Sequence, residues 1–167
     1  MSRGFVKEDD QEEIPIVPQR AYLPEGVPNF VTRVGMNQLL DEKQMLIDEK
    51  DHLSSTSENE KRIALNYINA KLQLLNNRIA EARMVNPKEQ PQNEIRFGAL
   101  VTLKAEISDN IQTFQIVGVD EADISKGKIS FISPVAKSLI NKKVGDTVVL
   151  KRSREDIVFE IMNIAYS

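Results

Sequence analysis

A heptad repeat of apolar residues is the sequence feature that most constrains the fold of this chain. Between positions 65 and 82, apolar side chains recur at spacings of three and four residues without a break: Leu65, Ile68, Leu72, Leu75, Ile79 and Ala82. These spacings place them on one stripe of an α-helix, at the a and d positions of a coiled coil. A stripe this narrow is buried by a second helix of the same kind.

The partner helix is predicted immediately upstream. Leu39, Leu46 and Leu53 lie seven residues apart, and Thr32 is suited to cap a helix that runs to about Leu53. The residues between the two helices are polar and favour turns and caps: Ser54, Ser55, Thr56 and Ser57. The sequence therefore predicts an antiparallel helical hairpin over residues 32–85, with its tip at 54–57.

The second helix has a clear start signal. Ser57 followed by Glu60 matches a capping box, in which a hydroxyl and a carboxylate each satisfy a free backbone N–H group. Glu58 and Glu60 also suit the positive end of the helix dipole, so capping explains both acids without a metal. A helix of about 20 residues is roughly 30 Å long. We interpret this length as serving reach, with a dimerisation zipper or an arm packed on a sheet as the alternatives.

Composition excludes several classes of function. The 167 residues suffice for one domain or a small domain with an appendage, and the absence of cysteine rules out disulfides, thiolate metal sites and a cysteine nucleophile. A net charge of -3 argues against binding nucleic acid by bulk electrostatics. Without an apolar run near the ~20 residues of a membrane span, and with an acidic N-terminus, we expect a soluble cytoplasmic protein with no membrane partner. The single histidine, His52, is expected on the surface.

Two segments are predicted to lack helices and central strands. Residues 1–31 begin with acids between positions 8 and 13 and continue with four prolines. We predict an extended arm here, either a solvated tail or a segment ordered by what it lies on. Residues 86–94 are polar and contain two prolines, as is typical of a linker.

Residues 95–167 change to the alternating pattern of a β-sheet. Five strands are predicted, at 97–103, 112–118, 128–132, 147–150 and 157–161. Ser133 and Pro134 open one short helix, with Ser as the cap and Pro at the first helical position. The predicted fold class is α+β, with an antiparallel coiled-coil hairpin followed by an antiparallel sheet domain. The chain has none of the usual catalytic motifs, such as a glycine-rich phosphate loop or HExxH.

Short sequence motifs in this C-terminal domain resemble the bacterial Gre transcript-cleavage factors (GreA and GreB). The matching residues are Phe97-Gly98-Ala99, Ile116-Val117-Gly118, Asp120-Glu121-Ala122-Asp123, Ile129-Ser130, Ser133-Pro134 with Ala136 and Leu139, Val144-Gly145-Asp146, and Phe159-Glu160-Ile161 with Ile164 and Tyr166. At the hairpin start, Val31-Thr32 and Gly35 agree as well. The resemblance implies an FKBP-like domain that docks on RNA polymerase at its secondary channel. The few aromatic residues argue against the isomerase activity associated with FKBP-like folds.

The resemblance also implies roles for individual residues. It implies that the hairpin enters the channel as an accessory factor, not an enzyme, and meets nucleic acid only within the transcription complex. Contacts to the polymerase are expected from Asp120, Glu121, Ser133, Pro134 and Ala136. The chain is expected to be a monomer with no cofactor of its own.

Tip carboxylates in the Gre family share a Mg²⁺ ion with the polymerase, which cuts backtracked RNA. Glu58 and Glu60 would hold that ion here, with Asp51 or Glu49 as further candidates. Ser55, however, stands where the family has an acid, and the predicted hairpin is shorter than that of GreA by several residues on each helix. Two alternatives follow: a factor that stimulates cleavage, or a polymerase-binding regulator that lacks this activity.

Overall fold

The computed structural model describes residues 14–54 and 57–167. The acidic run at positions 8–13 and two residues of the predicted tip, Ser55 and Thr56, lie outside the described residues.

The predicted helical hairpin is confirmed. Helix α1 spans Arg33–Asp51 and helix α2 spans Glu58–Glu81. Their shared core is aliphatic and is drawn from both helices and the strand that precedes them: Val31, Leu39, Leu46, Ile68, Leu72 and Leu75. The predicted caps are also present, since Thr32 Oγ1 accepts from Gly35 N–H at 3.0 Å and Ser57 Oγ accepts from Glu60 N–H at 3.4 Å. Local hydrogen-bonding chemistry thus sets where both helices begin.

A two-stranded parallel sheet at the base of the hairpin was not predicted. Strand β1 (Asn29–Val31) precedes α1, and strand β2 (Ala82–Met84) follows α2 in the place where the sequence predicted its last turn. Helix α2 ends at Glu81 because the backbone of Ala82 becomes extended (ψ 133°) and pairs with Asn29. The buried Asn29 also donates from Nδ2 to the carbonyl oxygen of Arg78 at 3.1 Å. These bonds hold the two ends of the hairpin together.

The C-terminal domain is built on a five-stranded sheet of order β5-β4-β3-β7-β6. Its strands are β3 (Leu100–Ala105), β4 (Ile111–Val117), β5 (Lys128–Ser130), β6 (Thr147–Lys151) and β7 (Asp156–Ala165), and helix α3 (Pro134–Leu139) packs against it. The α+β class is confirmed, but the sheet is mixed. Strand β5 runs parallel to β4, whereas the other neighbouring strands are antiparallel.

Two strands, β3 and β7, depart most from their predicted bounds. Strand β3 starts at Leu100 instead of Phe97, because Gly98 adopts a φ of +89° that interrupts the extended backbone. Strand β7 continues past Ile161 to Ala165 because a register shift opposite Thr102 and Leu103 lets it pair with β3 on both sides of a bulge.

The segment between the hairpin and the sheet is tied down at its C-terminal end. It contains a short 3₁₀ turn at Pro87–Glu89. Near its end, the Tyr166 hydroxyl donates to the carbonyl oxygen of Glu94 at 2.5 Å and accepts from Arg96 N–H at 2.8 Å. Partial burial at this position raises the pKa of Tyr166 above its usual value. The backbone at the end of the predicted linker is thus held in place by the Tyr166 hydroxyl.

Buried apolar side chains of the described residues form two separate hydrophobic cores, one in the hairpin and one under the sheet. The sheet core includes Phe159, Ile161 and Leu139, and none of the buried hairpin residues belongs to it. The hairpin is therefore not folded into the sheet core. None of the described helices is long and apolar enough to cross a membrane.

Candidate functional site

The described part of the hairpin tip is exposed and acidic. Glu58 and Glu60 lie in the first turn of α2, and Glu49 and Asp51 lie in the last turn of α1, all exposed. Ser54 is exposed and Ser57 caps α2. His52 is on the surface as predicted, at the C-cap of α1. The tip thus offers carboxylates to a partner and little apolar surface.

The tip carboxylates do not form a metal site by themselves. Among residues 14–54 and 57–167, no group of three or more acidic or histidine side chains is arranged to hold an ion. A Mg²⁺ ion takes six oxygen ligands in near-octahedral geometry, so tip residues fit only a partial shell completed by another molecule or by water.

Asp120, which was predicted to contact a partner, is occupied within the chain. Its side chain is 10% exposed and lies between two arginines, Arg20 of the arm and Arg78 of α2, with closest N–O distances of 3.1 Å to each. A carboxylate between two guanidinium groups makes a charge-assisted contact with each of them. The partner contact stays a prediction, whereas the internal contact joins the C-terminal domain to the arm and the hairpin.

Glu121 has a second internal role. Its side chain is 2% exposed, accepts a hydrogen bond from the Thr32 hydroxyl, and pairs with Lys128 Nζ at 3.2 Å. The Thr32 hydroxyl thus makes two hydrogen bonds: it accepts from Gly35 N–H as the cap of α1, and it donates to the Glu121 carboxylate. Because Lys128 starts β5, this network connects the start of the hairpin to the sheet edge. A predicted partner-binding residue therefore fixes the hairpin to the domain.

A close backbone approach completes the contact between hairpin and domain. Gly118, just after β4, lies so near β1 that a Cβ atom there would be 2.5 Å from the Phe30 carbonyl oxygen. The Phe30 ring packs with Phe97 and Phe131, with ring centroids 5.6–5.8 Å apart. We call the contact formed by Phe30, Thr32, Gly118, Asp120 and Glu121 the junction.

Replacing Gly118 with alanine should destabilise the junction. The added methyl group would meet a backbone oxygen that cannot rotate away, so we expect a loss of about 1–3 kcal/mol in the free energy of unfolding. Urea denaturation followed by circular dichroism measures this loss. Ala122→Val adds atoms at an exposed position of the same loop, and it should change stability by no more than about 0.5 kcal/mol. Equal midpoints for Gly118→Ala and the unmodified protein would contradict the close approach.

Helix α3 offers part of the predicted docking surface. Ser133 Oγ accepts from Ala136 N–H at 3.2 Å, and Pro134 at the first helical position is exposed. Ala136 is buried in the sheet core. The prediction that Ala136 contacts a partner is wrong for its side chain, because packing under the sheet leaves it no accessible surface. Lys137, which sequence reasoning missed, is exposed beside Pro134; helical spacing of three residues was the available signal.

The C-terminal domain matches a known protein family. Residues 90–166 match the model described as "Transcription elongation factor, GreA/GreB, C-term". The curated relatives include GreA of Acidiphilium cryptum, 42% identical over 100 residues, and GreA of Syntrophotalea carbinolica, 40% identical over 100 residues. Each alignment covers 60% of this chain. It covers 64% of the first relative and 63% of the second.

Solved structures of related factors align over a longer part of the chain at lower identity. A GreA/GreB factor from Nitrosomonas europaea has 18% identity, 84% coverage of this chain, 99% coverage of that chain and a TM-score of 0.44. The GreA homologue Gfh1 of Thermus thermophilus has 21% identity, 83% and 99% coverage, and a TM-score of 0.41. Residues 90–166 thus match the C-terminal domain of the GreA/GreB transcription elongation factors, and about 100 residues of this chain are similar to curated GreA factors.

Proposed function

We propose that this protein binds RNA polymerase at the secondary channel through its C-terminal domain and modulates elongation and backtracking with its hairpin. The protein acts as an accessory factor, and any cleavage of RNA takes place in the polymerase active site. The observation that carries the proposal is the family match of residues 90–166, in a chain whose hairpin has its own separate core.

The geometry of the hairpin supports a role in reaching a distant site. Helix α2 has 24 residues, which corresponds to a length of about 36 Å. The buried residues of α2 face α1 rather than the sheet. Glu58 and Glu60 lie in the first turn of α2, at the opposite end of the helix from strand β2 and the junction. An acidic tip on a slender support suits a partner site that is reached through a narrow opening and contains cations.

The structure favours a monomer over the alternative of a hairpin zipper. The apolar seam that would join two copies is already buried between α1 and α2 of one chain, at Leu39, Leu46, Leu72 and Leu75. Sedimentation at increasing concentration tests this proposal. A dimer with its hairpin seam exchanged between copies would contradict it.

Docking through α3 is tested by a charge at its exposed start. Pro134→Arg should weaken co-purification with core RNA polymerase, because it places a bulky cation on the proposed contact surface. Ser153→Arg is the matched control, since it adds the same charge in an exposed loop of the same domain. If the unmodified protein does not bind core polymerase, the proposed function is wrong.

The tip carboxylates are tested separately from docking. We expect the double substitution Glu58→Ala and Glu60→Ala to leave polymerase binding intact and to reduce the effect on backtracked complexes about tenfold, the loss expected for a charged contact worth about 1.5 kcal/mol. Single-round assays of stalled complexes measure both resumed elongation and RNA cleavage. Asp41→Ala removes an exposed acid near the middle of α1, away from the tip, and is the control.

The same assay separates the two functions that the family allows. Ser55 in place of an acid favours a regulator with little cleavage activity. Resumed elongation without shortened RNA would fit that regulator, whereas shortened RNA lost in the double variant would identify a cleavage factor. An unchanged effect of the double variant on both readouts would show that the tip acids serve only as helix caps.

A further inference from the structure

Arg20 in the N-terminal arm contacts both the hairpin and the C-terminal domain. Its guanidinium donates to both carboxylate oxygens of Glu42 on α1, with distances of 2.9 and 3.0 Å. Its Nε donates to Oδ1 of Asp120, in the loop after β4, at 3.2 Å. The planar, five-donor guanidinium is suited to bridge two carboxylates in this way. Glu42 and Asp120 together raise the pKa of Arg20, with the hydrogen bond to Glu42 as the largest cause.

A second arginine extends the same network to α2. Arg78 Nε lies 3.1 Å from Oδ2 of Asp120, and Arg78 Nη2 donates to the carbonyl oxygen of Ala21 in the arm. Arg20 and Arg78 carry two positive charges, and Glu42 and Asp120 carry two negative charges. The network is therefore electrically balanced, and three of its four side chains are less than 20% exposed. Partly buried, hydrogen-bonded ion pairs of this kind fix geometry more effectively than exposed pairs.

The arm is held in place chiefly by these side chains. Residues 14–23 form no helix or strand and make no backbone–backbone hydrogen bond to other described residues. Crevices of about 440 and 280 Å³ flank the arm where it passes over the hairpin base. Within the described part of the arm, the Arg20 side chain is 19% exposed and lies on the body of the protein, whereas Ile14, Ile16 and Tyr22 are exposed.

We propose that residues 18–22 form a strap that fixes the angle between the hairpin and the C-terminal domain, with Arg20 as the positioning residue. The strap joins three parts of the chain that are far apart in sequence, because Arg20 precedes Glu42 by 22 residues and Asp120 by 100. It acts across the junction, at the place where any change of the hairpin angle must begin.

The consequence for the partner rests on the proposed function. A small change of angle at the base of a support about 36 Å long displaces its tip by several ångströms. A strap that narrows the range of angles would therefore place the tip acids reproducibly inside the polymerase. Arg20 would contribute to the effect of the factor without touching the polymerase active site.

The strap can be tested in the free protein by distance measurement. The chain has no cysteine, so spin labels can be attached only at Lys61→Cys, near the tip, and Lys151→Cys, on β6. Pulsed electron resonance should give one narrow distance distribution for the otherwise unmodified protein. Arg20→Ala should lose that single narrow peak, and Arg20→Lys should be intermediate, because an ammonium group cannot bridge both carboxylates with a rigid fork.

Arg83→Ala is the matched control. Arg83 lies in β2 at the hairpin base, and its exposed side chain makes no hydrogen bond or ion pair to the described residues, so truncating that side chain should leave the distribution narrow. Amide hydrogen exchange in α1 and β3 shows whether each part of a variant remains folded. If Arg20→Ala unfolds the hairpin, the distance distribution of Arg20→Lys tests the strap in its place. Distributions that are the same in Arg20→Lys, Arg20→Ala and the unmodified protein would overturn the proposal.

A second measurement separates the strap from the proposed function. A radical-generating iron chelate attached at Lys61→Cys should cut RNA polymerase at one cluster of positions, and Arg20→Ala should bind equally but spread the cuts. If the unmodified protein does not bind polymerase, the proposed function fails while the distance measurement still decides on the strap. If Arg20→Ala loses the narrow distance distribution but still cuts the polymerase at one cluster of positions, Arg20 does not position the tip in the complex.

Discussion

Replacing Glu121 with alanine should destabilise the protein by about 3 kcal/mol, because the change leaves Lys128 without its partner in a mostly buried site. The side chain of Glu121 is 2% exposed and that of Lys128 is 23% exposed. The same change removes the acceptor of the Thr32 hydroxyl, which caps α1. Urea denaturation measures the lost free energy. Faster amide exchange at Gly35 would locate the loss at the start of α1.

Two control substitutions separate charge from packing at this position. Glu121→Gln keeps a similar shape and an acceptor for Thr32 but removes the charge that pairs with Lys128, so it should cost less than alanine. Glu155→Ala removes an exposed acid elsewhere in the domain and should change stability by no more than about 0.5 kcal/mol. If Glu121→Ala and Glu155→Ala unfold at the same urea concentration, the network at Thr32 contributes nothing to the junction.

Replacing Leu75 with alanine should be as damaging as the loss of Glu121. Leu75 is 0% exposed in the hairpin core. Deleting its side chain removes apolar burial and leaves a cavity between two helices, which costs about 2–5 kcal/mol. Hydrogen exchange should show the loss in α1 and α2 before it reaches the sheet, because the sheet has a separate core.

Leu40→Ala provides the same chemical change at an exposed position. Leu40 lies on α1 with 44% of its surface exposed, so its truncation should cost well under half as much as that of Leu75. Equal losses for the two variants would mean that the hairpin seam is not the source of the stability of the hairpin. Equal acceleration of exchange in the hairpin and in β3 would mean that the two cores unfold together.

Local and periodic signals account for what the sequence predicted correctly. The heptad spacing from Leu65 to Leu75 identified the buried face of α2, and hydroxyl residues identified the N-caps at Thr32, Ser57 and Ser133. Each signal depends on residues within one or two helical turns, so a single sequence contains all the information needed.

The parallel strands at the hairpin base could not be predicted by the same means. Ala82 continues the helical apolar spacing and Met84 is a good helix former, yet both lie in a three-residue strand. Pairing with β1, more than 50 positions earlier, provides backbone hydrogen bonds that the last turn of a helix end would lack. Tertiary pairing outweighed local propensity here.

The charged residues of the site show a related difficulty. Asp120 and Glu121 stand in a motif shared with Gre factors, and sequence alone gave no means of choosing between a surface role and an internal one. Their partners Arg20, Arg78 and Thr32 lie 100, 42 and 89 positions away. Such pairs become visible only when the fold brings them together. Ala136 was misassigned for a similar reason, because a conspicuous motif position can also be a core position.

The parallel pairing of Asn29–Val31 with Ala82–Met84 has a consequence for how this architecture can vary. The strand pair joins the start of α1 to the end of α2 at one place. The length of the two helices can therefore change without altering this strand pair or the C-terminal domain. Removing one heptad from each helix would move the tip acids Glu58 and Glu60 about 10 Å closer to the hairpin base. The β1–β2 strand pair would be unaltered. Under the proposed function, the depth that the hairpin reaches and the binding of the C-terminal domain to RNA polymerase are therefore separate variables, which selection or a protein engineer can change one at a time.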